Sequence, residues 1–259
     1  MLKALKEIYD YRELLINLTI KDLKVRYKNS ILGFFWSLIQ PLLMMLIFTF
    51  VFSYVFKAGI KNYAVFFIVG FLPWNFFATV LALGTTSIVS NGSLIKKVYF
   101  PREIIPISLA LANMVNLLLS FLVLFVILLL YGYNFFIFLP VLVLAIILQL
   151  LMTLGLSLAL AGLNVYFRDI EQFIGILLTV WFYGTPIIYD FSMIPAKMKL
   201  AIEYANPMAS VILLYRGALY NLYWPSLKLV AYAMISSLII FWIGYWIFRR
   251  LSPEFAKEV

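Results

Sequence analysis

Long runs without a charged residue constrain this chain more than any other feature. From Ile104 to Phe167 the sequence contains no Asp, Glu, Lys or Arg. A helix needs about 20 apolar residues to cross a bilayer, so this stretch is too long for a single span. Of the 259 residues 65% are hydrophobic and only 12% are charged, whereas about a quarter of a soluble domain is charged. The sequence therefore predicts an all-α membrane protein that forms one domain over residues 1–259.

Charged residues and turns divide the apolar sequence into six predicted membrane spans. Pro41 predicts a kink or interruption in the first span, and Gly70 with Pro73 predicts a bend in the second. The turn at residues 131–134 separates the third span from the fourth. The predicted spans are 31–56, 64–90, 107–131, 135–163, 172–189 and 229–248.

Two segments outside the spans have their own character. Residues 1–30 place apolar side chains at helical spacing among charged ones, which is typical of an amphipathic helix in the membrane interface. Thr19 followed by Asp22 predicts that a second short helix begins at Thr19. Residues 190–226 contain three prolines and several charges, and they predict two short re-entrant or interfacial helices.

The distribution of basic residues predicts the orientation in the membrane. The N-terminal segment, 91–106, 164–171 and the C-terminal segment together hold 14 Lys and Arg, whereas the opposite set of connections holds six. Because basic residues collect on the cytoplasmic side, both termini are expected in the cytoplasm of an inner (plasma) membrane protein. This excess of basic residues on the cytoplasmic side also explains the net charge of +9, which in a soluble protein could indicate binding to nucleic acid. We therefore expect no nucleic-acid partner.

Several classes of function lack the residues that they require. The predicted spans contain no ionisable side chain, which argues against a proton relay or voltage sensor. Because the sequence has no Cys, no His and no Walker A motif, we expect no metal site, catalytic residue or nucleotide site in this chain. If this chain moves a substrate across the membrane, a separate ATPase subunit is the simplest source of energy. Five polar intramembrane residues are predicted to form interhelical hydrogen bonds: Asn113, Asn116, Gln149, Thr153 and Asn164.

Four groups of residues, in order along the chain, resemble the permease subunits of bacterial polysaccharide ABC exporters. These are the Wzm-type O-antigen, teichoic acid and capsule exporters. The groups are residues 21–33 with Trp36 and Pro41, residues 94–103, residues 164–170, and finally 186–189, 206–207 and 215–216. The resemblance covers nearly the whole chain.

The resemblance implies a type-2 ABC exporter fold and an ATP-driven mechanism. It implies a homodimer around one pathway, worked by separate nucleotide-binding ATPase subunits that hold ATP and Mg. The implied cargo is a polysaccharide on a polyprenyl diphosphate carrier, with O-antigen for lipopolysaccharide biosynthesis as the first choice. Residues 91–105 would form the cytoplasmic coupling helix between spans two and three. The implied ATPase-coupling residues are Leu94, Lys96, Lys97, Tyr99, Arg102 and Glu103.

Two further sets of residues are candidates for contact with the cargo. Lys24, Arg26, Tyr27 and Lys28 are expected to meet the lipid diphosphate or the ATPase, although attraction to anionic membrane lipids explains them equally well. Aromatic rings offer flat apolar surfaces on which sugars can stack, and packing or an interfacial belt is the ordinary alternative. The candidate aromatic residues along a glycan path are Trp36, Trp74, Phe77, Trp181 and Tyr183.

Other functions remain open from the sequence. The same fold could export teichoic acid, capsule, a drug or a lipid. A membrane-embedded glycan transferase would have to use Asp190 and Glu203, the external carboxylates. A passive channel or scaffold is a further alternative.

Overall fold

A computed structural model describes the backbone of residues 2–27 and 35–259, and their side chains except at 2–5, 26, 27, 196, 200, 201 and 203. The described residues form an all-helical bundle without strands. The α-helices are α1 (Leu2–Asp10), α2 (Arg12–Tyr27), α3 (Phe35–Thr49), α4 (Tyr63–Ser90), α5 (Gly92–Lys97), α6 (Ile104–Leu130), α7 (Leu139–Tyr166), α8 (Ile170–Gly184), α9 (Ala196–Ala205), α10 (Pro207–Arg216), α11 (Leu227–Leu251) and α12 (Phe255–Glu258).

Five helical stretches are long and apolar enough to cross a membrane. They are Phe35–Val55, Tyr63–Ser90, Ile104–Leu130, Phe136–Tyr166 and Leu227–Glu258. Their limits lie within a few residues of five predicted spans, except that residues 31–34 lie outside the described part and the last stretch continues to Glu258. α3 and α4 continue as helices through Pro41 and Pro73. Of the two outcomes predicted for Pro41, an interruption is therefore absent, and a kink stays a prediction.

The fifth predicted span, at 172–189, is shorter in the structure than in the prediction. α8 ends at Gly184 and has 15 residues, which corresponds to about 22 Å of helix against a hydrocarbon core of about 30 Å. Thr185 has an extended backbone because Pro186 follows it, and a residue before proline is disfavoured in the helical region. Residues 185–188 are buried beyond the end of the helix.

The N-terminal region differs from its prediction in one respect. Two helices are present, but the second begins at Arg12 rather than at Thr19. The Thr19 hydroxyl donates a hydrogen bond to the Leu15 carbonyl at 2.8 Å, so this residue lies inside α2 and does not cap a helix. α2 packs along α6.

Small residues allow α7 to approach two other helices closely. Gly155 faces α11, where a Cβ atom on Gly155 would lie 2.6 Å from the Ile240 carbonyl oxygen. A Cβ atom on Gly244 would overlap the Gly155 carbonyl, so both positions require glycine. On another face of α7, Ser157 occupies the space beside Gly84 of α4. The small side chains at Gly155 and Ser157 thus let α7 pack closely against α11 and α4.

The two ends of α4 and α11 define two ends of the bundle. The α5 end carries α5, α12 and the last turns of α4 and α11, and it has its own apolar cluster around Ile95, Phe248 and Phe255. The α10 end carries α9, α10 and the first turns of α4 and α11. The two short helices predicted for 190–226 are therefore present as α9 and α10, and most side chains of α10 are fully buried.

Candidate functional site

The segment predicted to receive an ATPase forms a compact projection at the α5 end. α5 ends at Lys97, and an extended Val98 leads into Tyr99. Lys96 and Lys97 are exposed, and Tyr99 is 88% exposed. A cavity of about 320 Å³ lies among residues 95–100 and Arg102. The exposed ring of Tyr99 beside Lys96 and Lys97 is complementary to a partner surface with an apolar pocket flanked by acidic residues.

The base of this projection is held by the other predicted coupling residues. Arg102 donates a hydrogen bond to the Ser252 carbonyl. Glu103 is 3% exposed and accepts a hydrogen bond from Nη1 of Arg249 at 3.1 Å. Leu94 packs against the apolar cluster of the α5 end. Arg102, Glu103 and Leu94 therefore position the loop, while Lys96, Lys97 and Tyr99 face outward.

The N-terminal basic candidates lie at the end of α2. Lys24 is exposed. The side chains of Arg26 and Tyr27 and the whole of Lys28 lie outside the described residues. The prediction that these four residues meet a diphosphate or an ATPase is not tested by the geometry.

The candidate aromatic residues fall into different environments. Trp74 and Tyr183 line an open groove of about 320 Å³ between α3, α4 and α8, together with Phe48, Phe71 and Phe182. The ring centroids of Trp74 and Phe182 are 5.7 Å apart. Trp36 is 50% exposed and lines a second cavity, between α3, α4 and α6. The structure thus brings two of the five aromatic candidates to one groove.

Phe77 belongs to the packed interior, and the partly buried Trp181 packs against it. Phe77 is fully buried, and its ring meets the Trp181 ring edge-on with centroids 5.1 Å apart. The Trp181 indole N–H donates to Oδ1 of Asn206 at 2.8 Å. The same oxygen accepts the backbone N–H of Met208, which makes Asn206 the N-cap of α10, with Pro207 in the first turn. These contacts give both aromatic residues a structural role.

A buried cation at the α10 end was not recognised from the sequence. Arg216 is 1% exposed and donates from Nη2 to the Ile187 carbonyl at 2.8 Å. Its guanidinium lies 3.6 Å from the centroid of the Phe66 ring, within cation–π distance. Tyr63 donates from its hydroxyl to the next carbonyl, that of Ile188, at 2.7 Å. Arg216 and Tyr63 thus fix the extended segment that follows α8.

Two other groups complete this end of the bundle. Tyr220 donates to the Lys61 carbonyl, and burial raises the pKa of Tyr220 to about 12, so its hydroxyl remains a donor at neutral pH. Asp190 accepts the backbone N–H of Ser192 at 2.8 Å and caps the turn there. A single charged residue at the end of the apolar α10 sequence was the signal that could have revealed the buried Arg216.

Gln149 confirms the prediction of interhelical hydrogen bonding. Its Nε2 donates to the Pro73 carbonyl at 2.6 Å, and its Oε1 accepts the Tyr215 hydroxyl at 2.6 Å. This one amide joins α7 to α4 and α10. Asn113 instead donates to the Leu109 carbonyl of its own helix at 2.8 Å.

Comparison with known proteins agrees with this architecture. The sequence pattern of the family described as ABC-2 type transporter matches residues 13–220. An O-antigen export system permease protein RfbA from Myxococcus xanthus is 34% identical over 261 residues, covering 100% of both chains. Two proteins of the same name from Klebsiella pneumoniae are 37% and 35% identical over 246 residues, each covering 95% of this chain and 94% of its own length. With these matches and its long apolar helices, the chain belongs to the ABC-2 type transporter family, as a multi-pass inner-membrane subunit of a transporter rather than an ATPase.

Proposed function

We propose that this chain is the permease of an ATP-driven exporter that carries a lipid-linked polysaccharide across the inner membrane, with O-antigen as the cargo. The observation that carries the proposal is the match along the whole chain to a protein named as an O-antigen export permease. Two more relatives of that name match nearly the whole chain. The uncharged spans support the proposal, because a path without charged side chains does not bind a sugar polymer tightly and lets it move through.

The energy enters through a partner ABC ATPase, which binds ATP and Mg, at the α5 end. The outward projection of Lys96, Lys97 and Tyr99 is the docking element, and its anchored base supports a mechanical role. Arg102 and Glu103 join the loop to Ser252 and Arg249 at the end of α11. A push on the loop therefore reaches a helix that packs along α7 through the bundle. The docking side is the cytoplasmic side, as the excess of basic residues indicates.

Two copies of the permease enclose the path. The aromatic groove between α3, α4 and α8 is the part of the wall that one chain supplies. The exposed ring of Tyr183 offers flat apolar surface to the faces of sugars, and the largely buried Trp74 lies beneath the same groove. In the single chain Phe173, Ile176 and Val180 of α8 are exposed, which leaves this face open to a second copy. α8 completes a sixth membrane crossing together with the buried segment 185–188, and α9 with α10 forms the external re-entrant region.

The cargo and the energy source are tested together in vesicles. The permease is reconstituted with its ABC ATPase, and a polyprenyl-diphosphate-linked O-antigen is offered on the side of the ATPase. We expect translocation with ATP and none with a non-hydrolysable analogue. Equal translocation without nucleotide would overturn the proposal. Transport of a teichoic acid, a capsule glycan, a drug or an unglycosylated lipid instead of O-antigen would replace the cargo but keep the ATP-driven mechanism.

The docking element is tested by Tyr99→Ala. Tyrosine is enriched among the few interface residues whose truncation costs about 2 kcal/mol or more, so we expect the affinity for the ATPase to fall about tenfold or more. The matched control is Tyr131→Ala, which removes a half-exposed tyrosine after α6, away from the α5 end. Unchanged ATPase affinity in Tyr99→Ala would remove this residue from the docking surface.

A further inference from the structure

An open polar cavity lies between α3, α4 and α6. Its volume is about 590 Å³, within the usual range of small-molecule pockets, which is about 300–1,000 Å³. More than half of its lining side chains carry an amide or hydroxyl group or an indole N–H. The lining consists of Trp36, Ser37, Gln40, Leu72, Asn75, Phe76, Thr79, Ala82, Leu83, Asn113, Asn116, Leu117 and Ser120.

The polar groups of this cavity differ from the buried amide of Gln149. Both ends of the Gln149 amide are bonded to neighbouring helices. In contrast, the side chains of Gln40, Asn75 and Thr79 form no hydrogen bond with any residue that the structure describes. A polar group in hydrocarbon without a partner costs several kcal/mol. Such a set of uncommitted donors and acceptors therefore suits a polar occupant.

The chemistry of the lining selects the kind of occupant. Among the residues that the structure describes, those that line the cavity include no Lys, Arg, Asp or Glu. A phosphate or diphosphate is recognised by cations and charge-assisted hydrogen bonds, which this lining does not offer. Amides and hydroxyls can each donate and accept, as sugar hydroxyls also do. The half-exposed ring of Trp36 adds a flat apolar surface to one side.

The cavity lies far from the α5 end along the helices and meets the aromatic groove. Asn116 is twelve residues into α6 from the α5 end, which places it about 18 Å along that helix. Asn75 lines both the cavity and the groove that contains Trp74 and Tyr183. A group held in the cavity is thus adjacent to the wall of the proposed path and distant from the basic residues of the α5 loop.

We infer that this cavity binds an uncharged, hydroxyl-rich glycosyl group of the cargo, separately from the diphosphate of its carrier. The inference rests on the proposed function and adds to it the part of the cargo that this site recognises. Two hydrogen bonds lost from a bound sugar correspond to about a tenfold weaker affinity.

The test compares two probes on the purified permease–ATPase complex in lipid nanodiscs. One probe is a polyprenyl diphosphate that carries a short neutral oligosaccharide, and the other is the same lipid without sugar. The wild type is expected to bind the glycosylated probe more tightly. Two variants are tested separately: the double variant Asn75→Leu/Thr79→Val, and Gln40→Leu at an exposed position. In each, the preference for the glycosylated probe should fall about tenfold, while the affinity for the sugar-free lipid stays unchanged. Thr86→Val is the matched control on α4, because the Thr86 hydroxyl donates a hydrogen bond to the Leu83 carbonyl and does not line the cavity.

Each outcome decides between the proposals. A sugar preference that persists in both the double variant and Gln40→Leu, or a wild type that binds both probes equally, overturns the inference. Thermal unfolding of each variant shows whether a lost sugar preference comes from misfolding. If the double variant misfolds, Gln40→Leu alone decides the test. ATP-dependent transport by the wild type is measured in parallel. Its failure would overturn the proposed function, whereas intact transport with an unaltered sugar preference in the variants would overturn the cavity assignment alone.

Discussion

The two ends of the bundle hold a cation in opposite ways. At the α10 end Arg216 is 1% exposed, and it contacts backbone carbonyls and the Phe66 ring, without a carboxylate within 4 Å among the described residues. At the α5 end the Arg249 side chain is 46% exposed and pairs with the buried carboxylate of Glu103. Water can replace the partner of Arg249, but it cannot reach the groups around Arg216. The α10 end is therefore built as a fixed core, and the α5 end as a region that tolerates movement.

The largest effect is expected from Arg216→Ala. The change leaves the Ile187 carbonyl without its donor, removes the cation–π contact and opens a cavity in the core. We expect the free energy of unfolding to fall by about 3–5 kcal/mol. Thermal unfolding in detergent measures it, with Arg250→Ala at an exposed arginine as the control. Equal stability of the two variants would contradict the role of Arg216.

A smaller effect at the same end is expected from Tyr63→Phe. The ring remains, but the buried Ile188 carbonyl loses its hydroxyl donor. Leaving one buried acceptor without a partner costs about 1–3 kcal/mol. The control is Tyr131→Phe, since Tyr131 is half-exposed. Equal free energies of unfolding for Tyr63→Phe and Tyr131→Phe would show that the hydrogen bond to the Ile188 carbonyl does not stabilise the fold.

At the α5 end, Glu103→Gln should lower the free energy of unfolding by less than the variants at the α10 end, although its partner Arg249 carries a full charge. Gln can still accept the Arg249 hydrogen bond, and the exposed part of Arg249 is solvated, so the expected loss is about 1 kcal/mol. Unfolding at low and high salt measures the charge contribution, which should shrink as salt screens it. A loss as large as that of Arg216→Ala would show that both ends are equally rigid.

The smallest change in stability is expected from Tyr99→Ala. Because Tyr99 is 88% exposed, removing its ring should alter the free energy of unfolding by no more than about 0.5 kcal/mol. The same variant is expected to lose affinity for the ATPase, so its effect on function and its effect on stability separate. A stability loss above about 1 kcal/mol would instead assign Tyr99 to the packing of the α5 end.

The sequence predicted most of the fold because each span must satisfy its own backbone. In lipid no water pairs with exposed N–H and C=O groups, so every long uncharged run becomes a helix. The exception was α8, where the prediction overlooked that Pro186 ends the helix at Gly184. The second helix was likewise predicted to begin at Thr19, although α2 continues back to Arg12.

The candidate site was predicted less completely. The loop of residues 94–103 stays a prediction as the docking element, and in the structure its six candidates divide into an outward group and an anchoring group. The partner of Glu103, Arg249, lies 146 positions away in the sequence, so no local pattern reveals it. Of the five aromatic candidates, Trp181 is engaged by Asn206, and this contact also joins segments distant in the chain.

The uncharged runs by themselves determined that this protein lies in a membrane and where along the chain its long helices lie. The tertiary structure alone decided which polar groups are paired and which remain available. Gln149 and Asn75 are both intramembrane amides, yet one is bonded at both ends and the other lines an open cavity. The physical reason is that hydrophobic burial fixes which residues enter the bilayer, whereas hydrogen bonding depends on which helix faces meet.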